Sequence, residues 1–140
     1  MSEENVEVVR RAIDAWNRTD LSGFLEAWHP DAEWRPAFPQ GTEGRDTVYR
    51  GHEGVSQAWR NVRGAWTEYR LEVEDARISG EDLVVLGHIY VRGASSGVEI
   101  DSAWSAIVRF RDDKVISAWD WLDHASALEA AGRRSRRGDR

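Results

Sequence analysis

Three side chains in this sequence offer proton chemistry without a cofactor: Asp120, His88 and Tyr90. Residues two apart on a strand share a face. Asp120 then has apolar Ala118 and Leu122 as same-face neighbours, and His88 and Tyr90 share a face with Leu86 and Arg92. A carboxylate among apolar neighbours loses hydration, which raises its pKa unless it is paired. Such a carboxyl, or an imidazole near it, can carry a proton to and from a bound substrate. The Tyr90 phenol and the Trp104 indole N–H can donate to a developing enolate or oxyanion. This chemistry suits an isomerase, cyclase or dehydratase acting beside a carbonyl. Each residue also has a plainer reading: Asp120 as the ion-pair partner of Arg35 or Arg92, His88 as a core histidine on a backbone carbonyl, Tyr90 as a pocket cap.

Eight tryptophans stand among 140 residues. Indoles fill a core well, and a cluster of them can also wall a pocket for a flat or apolar ligand. The candidate lining residues are Trp104, Trp16, Trp34 and Trp59, with Leu122 beside Asp120 and with Arg35 and Tyr49 flanking the Pro36 to Asp46 loop, where a ligand would enter.

The elements that must position these groups are legible from period. Val6, Val9, Ile13 and Trp16 recur at helical spacing over about 3–18. Asp20 reads as the N-cap of a short second helix with Leu21, Phe24, Leu25 and Trp28 as its stripe, stopped by Pro30. Ala32 to Arg35 reads as a short strand. A third helix follows Gly51, with Val55, Ala58, Trp59, Val62 and Trp66 on one face. Beyond Trp66 the period falls to two. Four strands follow, separated by turn signals at Ser79 to Asp82, Gly93 to Gly97 and Asp112-Asp113. A last short helix spans about 125–131, with Gly132 as its C′ residue. The fold class expected is α+β: a curved, mainly antiparallel sheet wrapped around three N-terminal helices, a cone-shaped barrel with a central pocket.

Composition narrows the function classes. The chain has no cysteine, which excludes disulfides and thiol chemistry. His29, His52, His88 and His124 show no metal-ligand spacing, and no cofactor or metal is expected. No apolar run approaches membrane-spanning length and the acidic N-terminus lacks a signal-peptide pattern, so a cytoplasmic protein with no membrane partner is expected. The net charge is −6, yet residues 133–140 carry +4. An acidic body repels phosphate backbones, so no nucleic-acid partner is expected. The organisation expected is one domain over 1–132 and a basic, disordered tail over 133–140. If Asp120 points inward, Trp119 and Trp121 point outward with Ile107, and exposed indoles call for burial in a homodimer.

Several segments carry a resemblance. Ala15-Trp16-Asn17-Arg18-Thr19-Asp20-Leu21, then His29-Pro30-Asp31-Ala32-Glu33-Trp34, resemble the opening of SnoaL-like proteins. Tyr49 to Gly54, Phe110 to Val115 and Ala127 to Gly132 resemble later parts of the same family, so the likeness runs to about Gly132. It implies the nuclear transport factor 2-like, or cystatin-like, cone fold, a homodimer, and a small hydrophobic ligand bound in the cone. It also implies a choice between catalysis as a cofactor-free cyclase, isomerase or dehydratase and a non-catalytic binding or accessory role. The positions matching the ketosteroid isomerase groups hold Ala12, Pro36 and Ala106, which speaks against that route. Asp120-Trp121-Leu122-Asp123 resembles the last strand of limonene-epoxide hydrolases, with Asp120 at a catalytic carboxylate. His88 and Tyr90 fall where those enzymes carry an arginine and a second aspartate.

Overall fold

The computed structural model describes residues 3–37 and 47–138. Helix α1 (Glu3–Asn17) buries Val9, Ala12, Ala15 and Trp16, the face its spacing predicts. Helix α2 (Leu21–Glu26) is capped by Asp20, whose carboxylate accepts from the Gly23 N–H at 3.0 Å. Strand β1 (Trp28–Arg35) begins four residues earlier than expected. Its parallel partner supplies the reason, pairing Trp28 with Val115 and Trp34 with Ala118. Pro30 therefore does not end the helix before it. It sits in the irregular stretch between Trp28 and Glu33, where the ladder needs no N–H.

A two-residue strand β2 (Tyr49–Arg50) leads into α3 (Gly51–Ala58), which continues as a π-helical turn over Trp59–Arg63. The long strands follow: β3 (Trp66–Ser79), β4 (Asp82–Gly93), β5 (Glu99–Arg111) and β6 (Lys114–Trp121). Gly80 takes φ +62° in the first turn, and Asp112 and Asp113 take +54° and +62° in the last. Two consecutive positive φ angles are what a two-residue hairpin with native twist requires. The sheet order is β2-β1-β6-β5-β4-β3, antiparallel except where β1 meets β6. The architecture is α+β with a six-stranded curved sheet, as the element order implies. At the end of α1, the Asn17 amide donates to the Leu71 carbonyl (2.8 Å) and accepts from the Leu71 N–H (2.9 Å), extending the ladder at the β3 edge.

One expectation about the C-terminus changes. Helix α4 (His124–Gly138) does not stop at Gly132 but runs into the segment expected to be a disordered tail. Its Ala127, Ala130 and Ala131 pack on the outside of the sheet, over Val84, Leu86 and Ile107. The expected loop falls, over 38–46, outside the described residues.

Candidate functional site

The concave side of the sheet and helices α1 and α2 enclose one hollow. Strand parity decides what enters it. On β6, Ala118 and Asp120 face inward; on β5, Trp104, Ala106 and Val108 do. The register shifts opposite Arg109 and Phe110, so Val115 also turns inward, although strict alternation from Asp120 would place it outside with Ser117. Trp16, Phe24, Trp28, Trp34, Tyr69 and Val85 complete much of the wall.

The free volume is about 70 Å³. Ligand pockets for drug-sized molecules run from roughly 300 to 1,000 Å³, so aromatic rings fill most of the cone. The Trp16 ring lies 5.2 Å from Phe24, 5.9 Å from Trp34 and 4.8 Å from Tyr69, between centroids. Trp28 lies 5.2 Å from Trp34.

Asp120 is only 7% exposed and is the one carboxylate among the described wall residues. The Trp34 indole Nε1–H donates to its Oδ2 at 3.3 Å. Tyr69 stands near enough to feel its charge. Burial first, and the Asp120 carboxylate second, push the Tyr69 phenol far above the ordinary tyrosine range, with Arg63 opposing them. Tyr69 is therefore a hydroxyl, able to donate, at any pH near neutrality. Arg63 stacks 5.4 Å from both the Trp16 and Trp59 rings and donates to the Tyr69 carbonyl (3.3 Å) and to Thr19 Oγ1 (2.7 Å). Its own pKa is lowered, chiefly by burial.

His88 and Tyr90 are not in the hollow. The inward residues of β4 are the odd ones: Val85 lines the wall, and Ile89 and Val91 are wholly buried. His88 projects from the opposite face and pairs with Asp101 across β5, beside Arg70, Glu72 and Tyr90. The Tyr90 hydroxyl accepts from Arg92, whose guanidinium also holds Glu99 at 2.6 Å. The trio expected from sequence is thus split by the thickness of the sheet. Tyr69, missed as a site residue, is the phenol that lines the hollow with Asp120. Its signal was present: Tyr69, Leu71 and Val73 are the apolar side of an alternating strand.

Of the expected lining residues, Trp104, Trp16 and Trp34 are on the wall. Trp59 lies behind it, 5.0 Å from Trp16 and 5.3 Å from Phe24. Tyr49 is buried opposite Trp34 in the β1–β2 pair, and Leu122 packs on the core beyond the end of β6; neither touches the hollow. Arg35 follows inward Trp34 and so points out, where its guanidinium sits 5.0 Å over the Trp119 ring. Neither Arg35 nor Arg92 is the partner of Asp120. His52 and His124 bond to the Trp28 and Gly87 carbonyls at 2.7 and 2.8 Å. Among the described residues there is no group of three side chains suited to a metal.

The profile of the SnoaL-like domain matches residues 9–118, from within α1 through α2, α3 and the sheet as far as Ala118 in β6. The chain belongs to the SnoaL-like domain family. An NTF2-like protein of unknown function from Burkholderia pseudomallei is 30% identical, covers 92% of this chain and 97% of its own, and superimposes with a TM-score of 0.74. TerC, crystallised with polyporic acid, is 23% identical over 93% of this chain and 99% of its own, with a TM-score of 0.74. A Shewanella denitrificans protein assigned as a SnoaL-like polyketide cyclase is 17% identical over 92% of this chain and 99% of its own, TM-score 0.68. No curated protein matches the sequence.

The outer face of this SnoaL-like sheet differs from expectation as well. Ile107, expected at a subunit interface, is 3% exposed because the chain's own α4 covers it. Trp121 packs partly under the same helix and stacks on Trp119 at 5.0 Å; Trp119 stays 37% exposed. No described helix is long and apolar enough to cross a membrane.

Proposed function

We propose that this SnoaL-like protein binds a small, largely apolar carbonyl compound in the aromatic hollow and moves a proton on it through Asp120, as an isomerase or cyclase does. The observation that carries the reading is a buried carboxylate on an otherwise apolar wall, held by an indole N–H. In water a carboxylate is a weak base shielded by its hydration shell. Here burial removes most of that shell and the Trp34 indole N–H orients the carboxylate, so it is positioned to take a proton from carbon next to a carbonyl. Tyr69, kept as a hydroxyl by its burial, supplies a donor for the oxygen on which charge develops. Polyporic acid in TerC is an oxygenated ring compound, and the cyclase assignment of the Shewanella protein fits the same chemistry; both belong to those proteins and lend support by likeness of fold.

The test uses cyclohexanone in deuterated buffer, with exchange of its α-protons followed by NMR. The wild type is expected to accelerate exchange above buffer, and Asp120→Asn to lose that acceleration by about 10²-fold or more while still binding the ketone. Binding without any Asp120-dependent exchange points instead to the non-catalytic ligand carrier.

A further inference from the structure

Two tryptophans on the wall carry a buried polar group left unpaired among the described residues. The Nε1–H groups of Trp16 and Trp28 are buried and have no hydrogen-bond partner among the described residues. The two residues are 2% and 4% exposed, and both line the hollow. Buried donors are nearly always satisfied in folded proteins, so an orphaned pair on residues that line one hollow calls for an acceptor from outside the described residues. An indole offers only a donor, never an acceptor at nitrogen. The complement is therefore an acceptor atom, which a carbonyl oxygen provides and a hydrocarbon does not.

We infer that Trp16 and Trp28 bind the carbonyl-type oxygen of the ligand, which makes them the residues that select oxygenated ring compounds over hydrocarbons of the same shape. This rests on the reading of the hollow as the ligand site and deepens it. The placement is compatible with Asp120. Both rings contact Trp34, at 5.9 and 5.2 Å, and Trp34 holds the carboxylate. A ligand whose carbonyl oxygen meets an indole donor keeps the adjacent α-carbon free to face Asp120.

Cyclohexanone and cyclohexane, matched in size, are the probes. In protein labelled with 15N at the indole nitrogens, cyclohexanone is expected to move the Trp16 and Trp28 Nε1–H resonances downfield, and cyclohexane is not. The cyclohexanone-to-cyclohexane affinity ratio is expected to fall about tenfold in Trp16→Phe or Trp28→Phe, the size of one lost hydrogen bond at a buried donor. The labelled wild type answers the question even where a variant fails to fold. Cyclohexanone that binds and leaves both indole signals unmoved overturns this inference alone and leaves the Asp120 reading intact, with water as the resident acceptor. Failure of both probes to bind at all overturns both.

Discussion

Tyr69→Phe tests whether the phenol shares a buried, negatively charged hollow with Asp120. In the folded chain, burial and the neighbouring carboxylate hold Tyr69 protonated far past the ordinary range, and in the unfolded chain it ionises near pH 10. The raised folded value sets the sign. Below about pH 10 both states carry the proton and Tyr69 adds no pH dependence. Above it the unfolded state loses the proton and the folded state keeps it, so stability falls by about 1.4 kcal/mol per pH unit through this one group. By pH 11.5 the wild type has lost about 2 kcal/mol on this count relative to pH 9. Other groups titrate in the same window, and Tyr69→Phe cancels them. Urea unfolding of both proteins from pH 9 to 11.5 is expected to show the stability gap between wild type and Tyr69→Phe moving by about 2 kcal/mol, in the direction that favours the variant at high pH. Absorbance near 295 nm is expected to show one tyrosine ionising only as the protein unfolds. A gap that stays constant with pH refutes the placement of Tyr69 in a dry site.

Other substitutions probe the frame around the hollow. Gly87 faces inward beneath Trp104, and a Cβ there would meet the Glu72 carbonyl at 2.0 Å. Gly87→Ala is expected to cost about 3 kcal/mol by denaturant unfolding, since backbone must give way; a neutral result would mean that β3 bends freely at its bulge. Asn17→Ala removes both bonds to Leu71 and is expected to cost about 2 kcal/mol, with faster hydrogen exchange at the Leu71 amide. Trp34→Phe deletes the donor to Asp120 and part of a core ring, for an expected loss of about 3 kcal/mol by the same unfolding assay.

Much of this was legible in the residues, for reasons that differ by element. Helix α1 and the Asp112-Asp113 hairpin are governed by local spacing and turn chemistry, and both form where their sequences place them. Asp120 faces inward with Ala118 because β6 alternates regularly beyond its register shift. Strand β4 misleads because Leu83 to Leu86 is apolar on both faces, the concave core on one side and α4 on the other. A run buried on both sides carries no parity. The alternation resumes only at Ile89 and Val91, and it opposes the face of His88 and Tyr90. The likeness to epoxide hydrolases drew those two inward; the apolar odd positions outweigh it. The length of α4 was hidden by its arginines. A charged run reads as a tail, yet its first turns bury small residues on the sheet, and the helix carries on from there.

The central claim is that the Asp120 carboxylate looks into the hollow where a ligand sits. Protein labelled with 13C at the aspartate carboxyls reports this directly, with the Asp120 signal assigned by its absence from Asp120→Asn. On titration with cyclohexanone, that one resonance is expected to shift in a saturable way while those of surface aspartates such as Asp112 and Asp101 stay still. Saturable binding that moves surface resonances and leaves Asp120 unchanged would contradict the site described above.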